Sequence, residues 1–151
     1  MDTVDHRALG VQLYNSTWDL LEQPSRSVAE DDRMLHMAHA SRYHWGEVGQ
    51  PVNFVRGEWQ VSRVYSVLGR AEPALHHARR ALALCEEAGI GGFDIAFCYE
   101  AMARASAVAG DTEQCGHWLA LASEAADRIT DPHDRDLLLQ DLETVRLTCG
   151  A

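Results

Sequence analysis

The chain has 151 residues, 46% hydrophobic and 24% charged, with a formal net charge of -10; this is about the length of one domain with one substantial core. The acidic balance argues against a nucleic-acid partner, which needs a basic face to displace counterions from phosphate. No apolar run nears the roughly 18 residues that suggest a membrane span, and the opening MDTVDHRALGVQLY is acidic and amphipathic, without the basic-then-apolar order of a secretory signal, so a cytoplasmic protein with no membrane anchor is expected.

A first helix is expected over residues 4–21, where Val4, Ala8, Val11, Tyr14, Trp18 and Leu21 form one apolar stripe at three- and four-residue spacing. Pro24 breaks it, and Ser27-Val28-Ala29-Glu30 has the form of a capping box, with Asp31 and Asp32 following in the turn where the helix dipole favours acids. The second helix runs to about Val48 and stops at Gly49 and Pro51. These two helices make a first hairpin over residues 4–48.

Residues 53–88 make the second hairpin. Val61, Val64, Tyr65 and Leu68 lie at helical spacing before Gly69, and Ala74, Ala78, Ala81, Leu82 and Cys85 follow before Gly89. Gly89-Ile90-Gly91-Gly92 is the most flexible connection. The third hairpin, residues 94–130, has Asp94 as its cap, a turn at Gly110, and a second capping box at Asp111-Thr112-Glu113-Gln114. Asp131 then caps a last helix over 132–148, with Pro132 at the first helical position. Its leucines, Leu137, Leu138, Leu142 and Leu147, together with Val145, suit it to close an open end. No alternating β-branched run competes, so the fold class is all-α with about seven helices.

The second hairpin repeats in the third at a shift of 41: Ser62, Tyr65, Gly69, Ala74, Ala78 and Ala81 fall on Ala103, Ser106, Gly110, Cys115, Leu119 and Ala122. The order Tyr65, Gly69, Ala74, Ala78, Ala81 with Leu82 and Leu84 resembles a tetratricopeptide repeat, in which small residues let paired helices approach closely and a glycine makes the turn. Glu58 stands where that family has tryptophan, and Val61-Ser62 replaces Leu-Gly. The resemblance covers residues 54–130 and implies hairpins stacked in a short right-handed superhelix, whose first helices line a concave groove. By the resemblance, Arg56, Trp59 and Arg63 of one hairpin and Phe97, Glu100 and Arg104 of the next point into it. An aromatic between arginines suits a peptide or an acidic ligand.

Arg63 and Arg104 occupy the same repeat position, and two stacked guanidinium groups need an anion between them. Either Glu58 and Glu100 supply it from within, or a ligand carboxylate does. On the second helix Asp32, His36, His39 and Glu47 share one face, so two imidazoles and a carboxylate could ligate a first-row metal; the competing reading makes this face a wet or interhelical one. His76, His77 and His117 receive no function. The four cysteines have no CxxC spacing and three sit at apolar helix positions, which reads as small reduced hydrophobes. No nucleophile elbow or phosphate loop is present. The expectation is a non-enzymatic scaffold for a protein or peptide partner, without cofactor. The rivals are a metal-dependent helical enzyme and a docking or homodimerising module, the last drawing on apolar surface near Trp18 and Trp45.

Overall fold

Capping chemistry sets most of the helix starts. The Asp5 carboxylate accepts from the Ala8 amide at 3.0 Å. Ser27 and Glu30 bond each other's backbone amides at 3.1 and 2.9 Å, a capping box as expected. Asp111 accepts from Gln114 at 3.1 Å, and Asp131 from both His133 and Asp134 at 2.8 and 3.1 Å. The computed structural model describes residues 3–149 and is built of seven helices. They are α1 His6–Leu21, α2 Val28–Val48, α3 Pro51–Val67, α4 Ala71–Glu87, α5 Gly92–Val108, α6 Thr112–Ala126 and α7 Pro132–Thr148. Among the described residues there is no strand.

α1 begins at His6 behind its Asp5 cap, two residues after the expected Val4, and three further boundaries differ for local reasons. Pro51 does not merely end α2; it opens α3, because a proline at the first helical position loses no hydrogen bond. Gly91 is the N-cap of α5, so that helix begins before Asp94, whose carboxylate is engaged by Arg56 instead. α6 ends at Ala126, since the amides of Asp127, Arg128 and Ile129 turn back to carbonyls three residues earlier.

Consecutive helices pair antiparallel, α1 with α2, α3 with α4 and α5 with α6. The odd-numbered helices also pack on one another, α1 on α3, α3 on α5 and α5 on α7, whereas among the described residues the even-numbered helices keep their backbones apart, α2 and α4 meeting through the His39 and His77 rings at 5.4 Å. The odd helices therefore form an inner row and the even ones an outer row. Close approach within the second hairpin rests on Ala74, Ala78 and Ala81, all fully buried, and on the Ser62 hydroxyl, which donates to the Ala74 carbonyl at 2.8 Å. Gly69 and Gly110 turn the second and third hairpins with the same backbone angle, φ +74°, a left-handed conformation open to glycine without strain.

The main core runs from α3 to α7 and takes in Leu138, Leu142 and Val145 of the last helix. A smaller cluster of Leu20, Met34, Ala38, Val61 and Val64 fastens the first hairpin to α3. On α1 the buried stripe is Gly10, Thr17 and Leu20. Val4 and Val11 are instead 55% and 44% exposed, because Trp45 lies against Gly10, where a Cβ would meet its ring at 2.9 Å. The register turns α1 so that Tyr14 and Trp18 face the inner row.

The cysteine reading is overturned for one pair. Cys115 at the start of α6 and Cys149 beyond α7 are disulfide-bonded across 34 residues. Packing of two helices brings together side chains with no local spacing signal. Cys85 and Cys98 are free and buried. No helix among the described residues is long and apolar enough to cross a membrane.

Candidate binding site on the inner helix row

The 41-residue period runs beyond the two hairpins where it is visible in the sequence. Counting in steps of 41 gives Trp18, Trp59, Glu100 and Asp141, one residue on each of α1, α3, α5 and α7, and these four form a connected row. The Trp18 and Trp59 rings lie 5.5 Å apart, and the Trp59 indole N–H donates to Glu100 Oε2 at 3.2 Å. Arg63 Nη2 donates to Glu100 Oε1 at 3.1 Å and Asp141 Oδ2 at 2.8 Å. Arg104 closes the network from the other side, donating through Nε to Glu100 Oε1 at 2.6 Å, and through Nη2 to the Asp141 carbonyl and Thr144 Oγ1 at 3.2 and 2.9 Å.

Two cations and two anions thus neutralise one another. Glu100 has no exposed surface. Burial works to raise its pKa, but the charges of Arg63 and Arg104, and hydrogen bonds from Arg104 and Trp59, outweigh it and hold the carboxyl below its usual range. Arg63 shows the mirror balance: burial would lower its pKa, and Glu100 and Asp141 raise it instead. Its guanidinium also lies 5.1 Å from the centroid of Trp59 and 6.0 Å from that of Trp18. The anion between Arg63 and Arg104 is the protein's own Glu100. Glu58, expected to share this task, turns away.

Above the network the four inner helices enclose a pocket of about 830 Å³. α1 contributes Tyr14, Trp18 and Leu21 with its C-cap Glu22, and α3 contributes Val55, Arg56, Trp59, Arg63 and Val67. From α5 come Phe93, Asp94, Phe97 and Cys98, and from α7 Asp134, Leu137, Gln140 and Asp141. Phe97 meets Trp59 edge-on at 5.6 Å and Phe93 at 4.6 Å. Arg56 forks onto Asp94 at 2.9 and 3.2 Å. Burial pushes the Tyr14 phenol up, and a hydrogen bond to Cys85 together with burial does the same to the Cys98 thiol; both stay uncharged. Two arginines face four carboxylates, and among the described residues Glu22 and Asp134 form no salt bridge.

Of the six groove residues expected from sequence, Arg56, Trp59, Arg63 and Phe97 line the pocket, while Glu100 and Arg104 lie outside its lining, in the ion network. The walls supplied by α1 and α7 were missed. Trp18 reads as core by stripe alone, yet its place 41 residues before Trp59 marks it as a member of the inner row.

The α2 histidine face does not assemble a metal site. Asp32 and Glu47 are 15 residues apart on the same helix, about 22 Å at 1.5 Å per residue. Among the described residues no three His, Cys, Asp or Glu side chains stand close enough to hold an ion. His39 Nε2 and the Tyr65 hydroxyl are instead hydrogen-bonded at 2.9 Å. The Tyr65 ring stacks on His77 at 5.7 Å, and His77 Nδ1 meets Glu58 Oε2 at 2.7 Å. Arg42 donates to the other Glu58 oxygen at 3.3 Å. His77, assigned no role from sequence, is therefore a structural partner. Burial and the neighbouring His77 lower the pKa of His39. For Glu58, burial is outweighed by His77 and Arg42, and the carboxyl is held low.

Comparison with known proteins adds no assignment: no family model, no curated protein and no solved structure matches the chain.

Proposed function

We propose that this protein is a non-enzymatic binding scaffold whose inner helix row takes a segment of another protein. The observation that carries the reading is the pocket of about 830 Å³ walled by Tyr14, Trp18, Trp59, Phe93 and Phe97, within the size and apolar character usual for binding sites. The tetratricopeptide-like reading belongs to the same proposal. It is supported by the antiparallel pairs, by the identical turns at Gly69 and Gly110, and by the small residues between paired helices. An acidic ligand is disfavoured, because the pocket arginines already bond Asp94, Glu100 and Asp141. A cytoplasmic setting is retained as part of the proposal; there the Cys115–Cys149 bond, of a kind cytosolic reductants remove, is shielded by burial of both residues.

The test is panning of a random peptide library on the immobilised protein and on its Trp18→Ala variant, with circular dichroism showing that the variant is folded. Enrichment on the parent that falls about tenfold or more on the variant, a loss in the range of a truncated aromatic anchor, supports the reading. Failure to enrich any sequence, or equal enrichment on both proteins, removes it.

A further inference from the structure

Resting on that reading, we infer that the pocket selects a basic segment of its partner, with an Arg or Lys side chain toward α7 and an apolar side chain toward α1. The pocket is chemically graded from one wall to the other. The α1 wall presents Tyr14, Trp18 and Leu21 with Glu22 at its end, whereas the α7 wall presents Asp134, Gln140 and Asp141 beside Leu137.

Charge decides against an anion. Arg56 is matched by Asp94, and Arg63 is matched twice over, which leaves Glu22 at one edge and Asp134 at the other as carboxylates without a salt bridge among the described residues. An incoming carboxylate meets arginines whose charge the protein's own carboxylates already match, with the buried Arg63 Nε a donor without a partner among the described residues, while an incoming ammonium or guanidinium finds carboxylates without a salt bridge. The aromatic walls act in the same direction. Tryptophan faces attract cations, and Arg63 already lies over both Trp59 and Trp18. The net charge of -10 on the whole chain adds long-range attraction for a basic partner. A side chain combining an apolar stem with a cationic tip suits such a site, since the stem can lie along aromatic surface while the tip reaches the carboxylates.

The experiment reads the sequences enriched by the library, and then repeats the panning on two double variants that alter net charge equally. Glu22→Gln with Asp134→Asn removes the free carboxylates of the pocket; Glu113→Gln with Asp127→Asn removes two from exposed positions on and just beyond α6. The inference expects enriched sequences to pair Arg or Lys with an apolar residue, and binding of a synthesised winner to weaken about tenfold in the pocket variant while staying unchanged in the α6 variant. Neutral or acidic winners overturn the basic-segment inference and leave the scaffold reading standing. Equal weakening in both variants also overturns it, because the attraction would then be general charge. Absence of any enriched sequence removes the scaffold reading itself.

Discussion

Replacing Glu100 with glutamine keeps the side-chain shape but leaves Arg104 without its carboxylate and Arg63 with only Asp141. Breaking one partner out of a buried ionic network is costly because the remaining charges stay desolvated, and a loss of about 3 kcal/mol or more is expected in urea unfolding. Glu100 and Glu58 also fix the pH response. Their folded-state pKa values lie below the ordinary 4.5, so the unfolded chain takes up protons first. The stability they confer is complete above that value and is lost as pH falls through their folded values. His39 acts in the same sense from a higher starting point: its folded pKa lies below 6.5, so acidification through that region favours the unfolded chain. Thermal melts from about pH 7 down to about pH 4 should show a falling midpoint, with His39→Gln flattening the upper part and Glu100→Gln the lower. A midpoint that rises on acidification would contradict both assignments. Little of this network could be read from spacing. A repeat position placed Arg63, Glu100 and Arg104 near one another, but the third dimension chose Asp141 over Glu58, and paired His77 with Glu58 on the opposite side of α3.

At the scale of the element, α7 does more than end the chain of helices. Its Leu138, Leu142 and Val145 are buried in the main core, and it carries one wall of the pocket and the Asp141 of the ion network. Truncation before Asp131 should expose the apolar surface beneath it and produce aggregation, as for a helical stack without its cap; a soluble truncation of equal stability would show that α7 is not a cap. The disulfide gives a gentler version of the same test. A bond closing 34 residues stabilises by about 3–4 kcal/mol in the chain-entropy account, so Cys149→Ser, or reductant added to the parent, should lower the unfolding midpoint in denaturant. No change with reductant would mean that the bond is not formed in solution. The helices themselves were legible because their signals are local: Ser27 with Glu30, Asp131 with Pro132, and glycines after apolar runs. What escaped was the orientation of α1. Its stripe of Val4, Val11 and Trp18 fits a helical wheel, yet Gly10 and Thr17 are the residues that face the core, since only small side chains admit Trp45 and α2 so closely.

Across the whole molecule the two ends of the stack are held differently. The C-terminal end has α7, the disulfide and a share of the large core, whereas the first hairpin is joined to the rest through the small cluster of Leu20, Met34, Ala38, Val61 and Val64, the Trp18–Trp59 stack and hydrogen bonds that pair Arg42 with Glu58, His39 with Tyr65 and the Tyr14 carbonyl with Gln60. Local opening begins where a segment has least buried apolar contact with the rest of the molecule. Native-state hydrogen exchange should therefore give amides of α1 and α2 a lower opening free energy than those of α4 and α5. Met34→Ala, expected to cost about 2–5 kcal/mol where it acts, should deepen the difference by loosening the first hairpin selectively. Equal opening energies in all seven helices would mean that the molecule unfolds as one unit. The same asymmetry bears on the pocket, because its aromatic α1 wall belongs to the end that opens most easily and its acidic α7 wall to the end that opens least. A segment bound across both walls links them, so a saturating library-selected peptide should raise the protection of α1 and α2 by the free energy of binding and leave α4 and α5 little changed. Protection gained by α4 and α5 alone would place the peptide elsewhere on the molecule.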